Sequence, residues 1–407
     1  MDMRRVAVLL MCLVCTTGFG QSTLPELKAL ADAHQWADLR EAAAKSDHAT
    51  FYRAIAAAVF NEPGAEALFR SVILNDPRSE EAYQSYDWLS NMYLKTGRYR
   101  SLEAVMEARW AAFPNKKGAA SEKKELVPFR GLPDQKNGER RISTLHHDPH
   151  SFGVSLIINN KQVEFFFDDG ADFSCISELE AKRLGMEIRE TTGSVGTMTR
   201  DASFRTAIAH NVTIGAMHFE DVSFAVFPDD HEPWSLTPLG NRGIIGLPLM
   251  VATGTFRWKA DGTLIIGEEP EPLNAQESNL FFDVGKRPVL KVGFQGQEIW
   301  TALDTGAMTT DIYAAFAQRF SEYLKKNGKA GQNEIRGIGG AETYDSIDVP
   351  ELPLEVGGSE VMLKPAHVLT KRSERRDWIF ANVGKDLLTQ TSGFKIDFGA
   401  MKLTLEP

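Results

Sequence analysis

The chain has 407 residues, a formal net charge of −10, and 43% hydrophobic and 25% charged residues. That composition gives ample core for two or three domains and excludes a globally disordered chain. The acidic balance leaves no basic footprint for nucleic acid, so no nucleic-acid partner is expected.

Arg4 and Arg5 precede an apolar run from Val6 to Cys15, and Gly18 and Gly20 follow. This order predicts a secretory signal peptide over residues 1–20, and hence an exported (periplasmic or secreted) protein. The run is too short for a bilayer span, which needs roughly 20 apolar residues. No later segment is suited to one, so no membrane span is expected after signal cleavage. Cys12 and Cys15 leave with the peptide, and Cys175 then has no internal partner for a disulfide.

Residues 21–115 are rich in Ala and Leu at helical spacing. Leu89, Tyr93, Gly97, Tyr99 and Pro114 fall at the offsets of a tetratricopeptide-like helix–turn–helix repeat, with Gly97 in the turn and Pro114 stopping the second helix. A generic helical cap fits the same residues. Residues 116–149 read as a polar, unpatterned linker. Within it, His146-His147-Asp148-Pro149-His150 matches no ligand spacing of a helix or strand, so it reads as a polar loop, and no metal is expected.

From Val154 the apolar period becomes two. Val154, Leu156 and Ile158 alternate, Asn159-Asn160-Lys161 turns, and Val163, Phe165 and Phe167 lead into Asp168. A short helix follows from Ser177 to Leu184, capped by Ser177 with Glu180 three residues on. Strands around Gly215 and a hairpin turning at Asp261-Gly262 complete residues 150–269. Residues 270–407 repeat the order. Val289 to Phe294 and Ile299 to Leu303 form a hairpin that leads into Asp304; helical residues, a glycine-rich tip at Gly337–Gly340, further strands and a closing hairpin follow.

The repeat carries chemistry. Phe167-Asp168-Asp169-Gly170-Ala171 and Leu303-Asp304-Thr305-Gly306-Ala307 lie 136 positions apart, and each has a distal apolar–apolar–Gly element, Ile244-Ile245-Gly246 and the weaker Asn382-Val383-Gly384. A duplicated unit that supplies one carboxylate per copy can place two carboxyls face to face. Such a pair holds one proton between them and can activate water, one member acting as base and the other as acid.

On these residues, about 150 to 407 resembles the retropepsin-like aspartic proteases in a bilobal, pepsin-like arrangement. The fold implied is multidomain α+β: a helical, tetratricopeptide-like region followed by an all-β acid-protease fold of two duplicated lobes. The resemblance implies Asp168 and Asp304 as the catalytic dyad, with Asp169, Gly170, Thr305, Gly306, Gly246 and Gly384 in support, a polypeptide substrate and no cofactor. Gly193–Thr199 and Gly337–Gly340 fall where the flaps belong. Asp169 departs from the pattern, which has Thr or Ser there to hydrogen-bond across to the opposite loop. An ionised Asp169 cannot donate, although it can accept from Thr305, and its charge would raise the dyad's apparent pKa. Three functions follow: an exported aspartic endopeptidase, an inactive peptide-binding module that kept the cleft, or a scaffold docking a protein partner through residues 22–115.

Overall fold

The computed structural model describes residues 22–148, 152–195, 202–337, 340–371 and 378–407. Residues 1–20, where a signal peptide is expected, lie outside them. Six helices, Leu24–Asp32, Trp36–Ala44, Thr50–Val59, Ala65–Asn75, Glu80–Lys95 and Tyr99–Ala112, fill the first region. Local signals start and stop them. The Glu26 N–H donates to Thr23 Oγ1 at 3.4 Å and the Thr23 N–H donates to Glu26 Oε2 at 2.8 Å, a reciprocal cap. Ser79 Oγ caps the fifth helix by accepting from the Ala82 N–H at 3.0 Å. Gly97, with φ +67°, makes the turn before the sixth.

The inner side of this helical region is occupied by the rest of the chain. Phe60 meets Phe281 edge-on with centroids 5.4 Å apart, and His34 stacks on Trp378 at 3.8 Å. Lys95 Nζ sits 3.6 Å over the Phe282 ring and donates to Asn61 Oδ1 at 2.9 Å. Asn61 Nδ2 donates in turn to the Phe398 carbonyl at 3.0 Å. Burial pushes the Lys95 ammonium down to about 7. Helices and β-rich lobes therefore share one apolar core.

Residues 116–149 are more than a linker. They form helix Ala119–Leu126 and strands Lys136–Asn137 and Ser143–His146. The helix is anchored by polar contacts, with Glu122 accepting from Trp110 Nε1 at 3.0 Å and pairing with Arg109 Nη2 at 3.1 Å. Such contacts leave no apolar period to read. Strand Ser143–His146 is an edge strand whose partner, Thr263–Ile266, lies far along the chain. His147 is 3% exposed, with Nε2 at 2.9 Å from the Lys259 carbonyl, so part of the histidine stretch is buried against the sheet. Pro149 and His150 lie outside the described residues.

Among the described residues, a nine-stranded sheet builds the first lobe, a ten-stranded sheet the second, and a five-stranded sheet joins them. The joining sheet runs Ser143–His146, Thr263–Ile266, Thr255–Lys259, Gly393–Asp397, Lys402–Glu406, antiparallel throughout. Trp258 lies opposite Phe394 across the junction, stacked with centroids 5.2 Å apart.

Each lobe repeats one arrangement. In the first, Gly153–Ile158 pairs with Lys161–Phe167, and Gly243–Ile245 lies parallel to the latter, with Ile245 opposite Phe167. In the second, Arg287–Phe294 pairs with Gln297–Leu303, and Ile379–Val383 lies parallel, with Val383 opposite Leu303. Strand alternation buries Val163, Phe165 and Phe167 on one face. Both aspartates thus leave a strand end beside their lobe's apolar triplet. Of the first expected flap, Gly193–Val195 pairs with the start of Ala202–Ile214, and residues 196–199 lie outside the described residues. Of the second, Gly337 pairs with Gly340, and Ile338 and Gly339 lie outside.

Candidate active site

Backbone bonds hold the two aspartate loops in the same way. The Asp168 N–H donates to the Ile245 carbonyl at 2.9 Å and the Asp304 N–H to the Val383 carbonyl at 3.0 Å. Return bonds run from the Leu247 N–H to Ala171 O at 3.0 Å and from the Lys385 N–H to Ala307 O at 2.9 Å. The distal glycines are required by space. A Cβ at Gly246 would lie 2.5 Å from the Phe173 carbonyl carbon, and one at Gly384 would lie 2.7 Å from the Thr309 oxygen. Their N–H groups donate to Ser174 Oγ at 3.1 Å and Thr310 Oγ1 at 3.0 Å. The apolar–apolar–Gly element is therefore a clamp on its own lobe's loop, in both copies.

The loops meet across the lobes. A Cβ on Gly170 would stand 2.8 Å from the Asp304 carboxyl carbon, and one on Gly306 would stand 2.3 Å from that of Asp168. Each carboxyl lies against the other loop's glycine, and the two carboxyls interact directly. Burial, then the charge of Asp304, then that of Asp169, push Asp168 well above the usual carboxylate range.

The donors are unevenly shared. Asp304 Oδ1 accepts from the N–H groups of Gly306 and Ala307, each at 2.9 Å, and Oδ2 accepts from Asn382 Nδ2 at 2.7 Å. Asp168 Oδ1 accepts from the Gly170 N–H at 2.8 Å. Asp168, with fewer donors and its carboxyl pushed upward, is the side that favours the proton.

Asp169 takes part in the cross-lobe contact despite its departure from Thr or Ser. Its Oδ1 accepts from the Thr305 N–H at 2.7 Å. Thr305 Oγ1 accepts from the Asp169 N–H at 3.2 Å and donates to the Phe167 carbonyl at 3.1 Å. Burial, first among its causes, pushes Asp169 up to about 7. The fixed negative charge expected from the sequence is therefore weakened.

Two neighbours were not singled out as site residues from the sequence. Asn382 reads there as a blemish in an apolar triplet; in the structure it is the donor to Asp304. Its only signal was a polar residue directly before Val383-Gly384. Lys385 is 4% exposed, with Nζ 4.1 Å from the centroid of the Phe152 ring, and it interacts electrostatically with Asp168, Asp304 and Asp169. Burial pushes its ammonium down to about 8. The flanks of the two lobes also differ. Cys175, buried and pushed upward by that burial, lies opposite Ile244. At the matching place Asp311 lies opposite Asn382 and accepts from Asn333 Nδ2 at 3.1 Å. Cys175 is thus a small core side chain, as its sequence context suggested.

Residues 154–241 match the family model described as "gag-polyprotein putative aspartyl protease". The first lobe is similar to gag-polyprotein aspartyl proteases. The matched stretch holds Asp168 and its hairpin and stops short of Gly243–Ile245. The solved structures that match include a retropepsin-like aspartic protease from Rickettsia conorii, 17% identical over 32% of this chain and 92% of that one, with a TM-score of 0.23. No curated protein matches. The family match supports a protease-like, hydrolase reading for residues 154–241. The second lobe is tied to the first by the repeated hydrogen bonds above.

Proposed function

We propose that this chain is an exported aspartic endopeptidase whose Asp168 and Asp304 share one proton and activate water. The observation that supports it is the meeting of two carboxyls from different lobes, each seated on the other loop's glycine. Asp304, the carboxyl with more donors, takes a proton from water as the hydroxide oxygen bonds to the peptide carbonyl carbon. Asp168 gives its proton to the carbonyl oxygen. The tetrahedral adduct then collapses: Asp168 takes a proton from one adduct hydroxyl as the carbonyl reforms, the C–N bond breaks, and the leaving nitrogen takes the proton that Asp304 had accepted, which restores the dyad. The substrate is an extended polypeptide between the lobes.

Digestion of a denatured protein across a pH series, with and without a statine-type inhibitor, tests the reading. Inhibitable cleavage supports it, and no cleavage at any pH opposes it. In the same assay Asn382→Leu removes a donor to the carboxylate. The acidic limb of the profile is then expected to move up by about one pH unit, the equivalent of a charged hydrogen bond of about 1.5 kcal/mol. An unmoved limb would show that Asn382 does not act on the dyad.

Export follows from the leader read in residues 1–20. N-terminal sequencing of the mature protein is expected to begin at Gln21; a mature chain that keeps Arg4 and Arg5 opposes this. We read the helical hairpins as tetratricopeptide-like packing turned inward. Phe60, Lys95 and His34 already engage Phe281, Phe282 and Trp378 of the chain's own second lobe. That favours a structural role for residues 22–115 over a docking scaffold.

A further inference from the structure

The cross-lobe contact is unsymmetrical, and its odd member is Asp169. On one side the Thr305 hydroxyl accepts from the Asp169 N–H and donates to the carbonyl of Phe167, the residue before Asp168. On the other side Asp169 Oδ1 reproduces the first of these, accepting from the Thr305 N–H at 2.7 Å. Reproducing the second requires a hydrogen on Asp169 Oδ2, and its acceptor by the duplication is the carbonyl of Leu303, the residue before Asp304. Asp169 is 0% exposed, and Oδ2 is buried with no hydrogen-bond partner among the described residues. A carboxylate would leave that oxygen desolvated and unpaired, the costly arrangement for a buried anion. A carboxylic acid carries the missing O–H.

The charged groups around Asp169 favour the same form. Asp168 faces it from its own loop, Asp304 from the opposite loop, and Lys385 from the short helix Lys385–Leu388. Two acids oppose a third negative charge nearby. The cation facing them, Lys385, lies against the rings of Phe152 and Phe166, 4.1 and 5.3 Å from their centroids. With one proton in the dyad and one on Asp169, the three carboxyls carry a single negative charge, which Lys385 balances. An ionised Asp169 would leave the desolvated site with net charge.

We propose that Asp169 works as a neutral carboxylic acid, a positioning residue that accepts from the Thr305 N–H with one oxygen and donates across the lobes with the other, and that its ionisation loosens this lock and sets the upper pH limit of the site. Only the last clause rests on the peptidase reading. The lock itself is visible in folding. Burial pushes Asp169 up to about 7, against 3.8 for an ordinary aspartate. The folded chain therefore keeps a proton that the unfolded chain has lost. Stability from this group is complete at low pH, falls as pH rises from the ordinary carboxylate range to neutrality, and is flat above. Asp168 contributes in the same direction, so the difference between parent and variant isolates Asp169.

The test is thermal unfolding of the full chain from about pH 4 to about pH 9, on the parent, Asp169→Asn and Asp169→Thr, with cleavage profiles beside it. Asn keeps one acceptor and one donor and cannot ionise. The parent's unfolding temperature is expected to fall between pH 4 and 7 more steeply than that of Asp169→Asn, the gap becoming constant above neutrality. The upper limb of cleavage is expected to move to higher pH in Asp169→Asn by about one unit or more. Parallel unfolding curves overturn the proposal. So does an Asp169→Asn chain whose deficit in stability against the parent grows as pH rises, because the anion would then be what the site needs; if Asp169→Asn does not fold, Asp169→Thr stands in for it, and a curve parallel to the parent's overturns the proposal. If no chain cleaves, the peptidase reading fails by itself and the unfolding difference still decides the lock.

Discussion

Asp304→Asn is expected to stop cleavage of a denatured protein, lowering the rate by about 10²- to 10⁴-fold, the usual share of a general acid–base group. The amide is nearly isosteric with the carboxyl, so Gly170 keeps its neighbour and the loops keep their seat. What disappears is the ability to take a proton from water. Asn382 and the N–H groups of Gly306 and Ala307 would then surround a neutral oxygen with donors that no longer hold charge in place. Asp168→Asn is expected to fail equally, because the shared proton then has no second holder. Neither variant should lose stability, since each removes a carboxyl from a buried cluster of like groups. Single-turnover cleavage and thermal unfolding, measured together, separate loss of chemistry from loss of fold. Both variants cutting at the parental rate would sink the dyad.

Removing residues 22–115 is expected to cost the lobes their fold. Phe281 and Phe282 are 3% and 0% exposed, and their covers include Phe60 and Lys95 of the helical region. Trp88 and Met92 close over Gly285. Uncovering a large apolar side chain costs about 1.5–3 kcal/mol. Losing several together approaches the whole stability of an ordinary domain, about 5–15 kcal/mol. The Phe398 carbonyl would also lose Asn61 as its donor. Calorimetry of the truncated chain is expected to show aggregation or an unfolding temperature lower by ten degrees or more. An unchanged transition would mean that the helices are a detachable module, and would restore the docking-scaffold reading.

The sequence was legible where structure is local or repeated. The period-two run through Val163, Phe165 and Phe167, the Ser177 cap and the Gly97 turn each depend on residues a few positions apart. The duplicated Asp–x–Gly–Ala and its distal glycine could be matched copy against copy. The stretch 116–149 was not legible in this way. Its helix is pinned by Glu122 rather than by an apolar stripe, and its strand Ser143–His146 takes its meaning from a partner more than a hundred residues on.

By itself, then, the amino-acid order pointed to two equivalent lobes, to one aspartate at a strand end in each, and to a distal apolar–apolar–Gly element in each. Only the tertiary structure decided what the copies do to one another. It set Gly170 under the Asp304 carboxyl and Gly306 under that of Asp168, turned Asn382 into a donor, and shut Asp169 and Lys385 away together. The physical reason is that hydrogen-bond reach and desolvation are set by distances through space between residues 78 or more positions apart, and no local pattern encodes those distances.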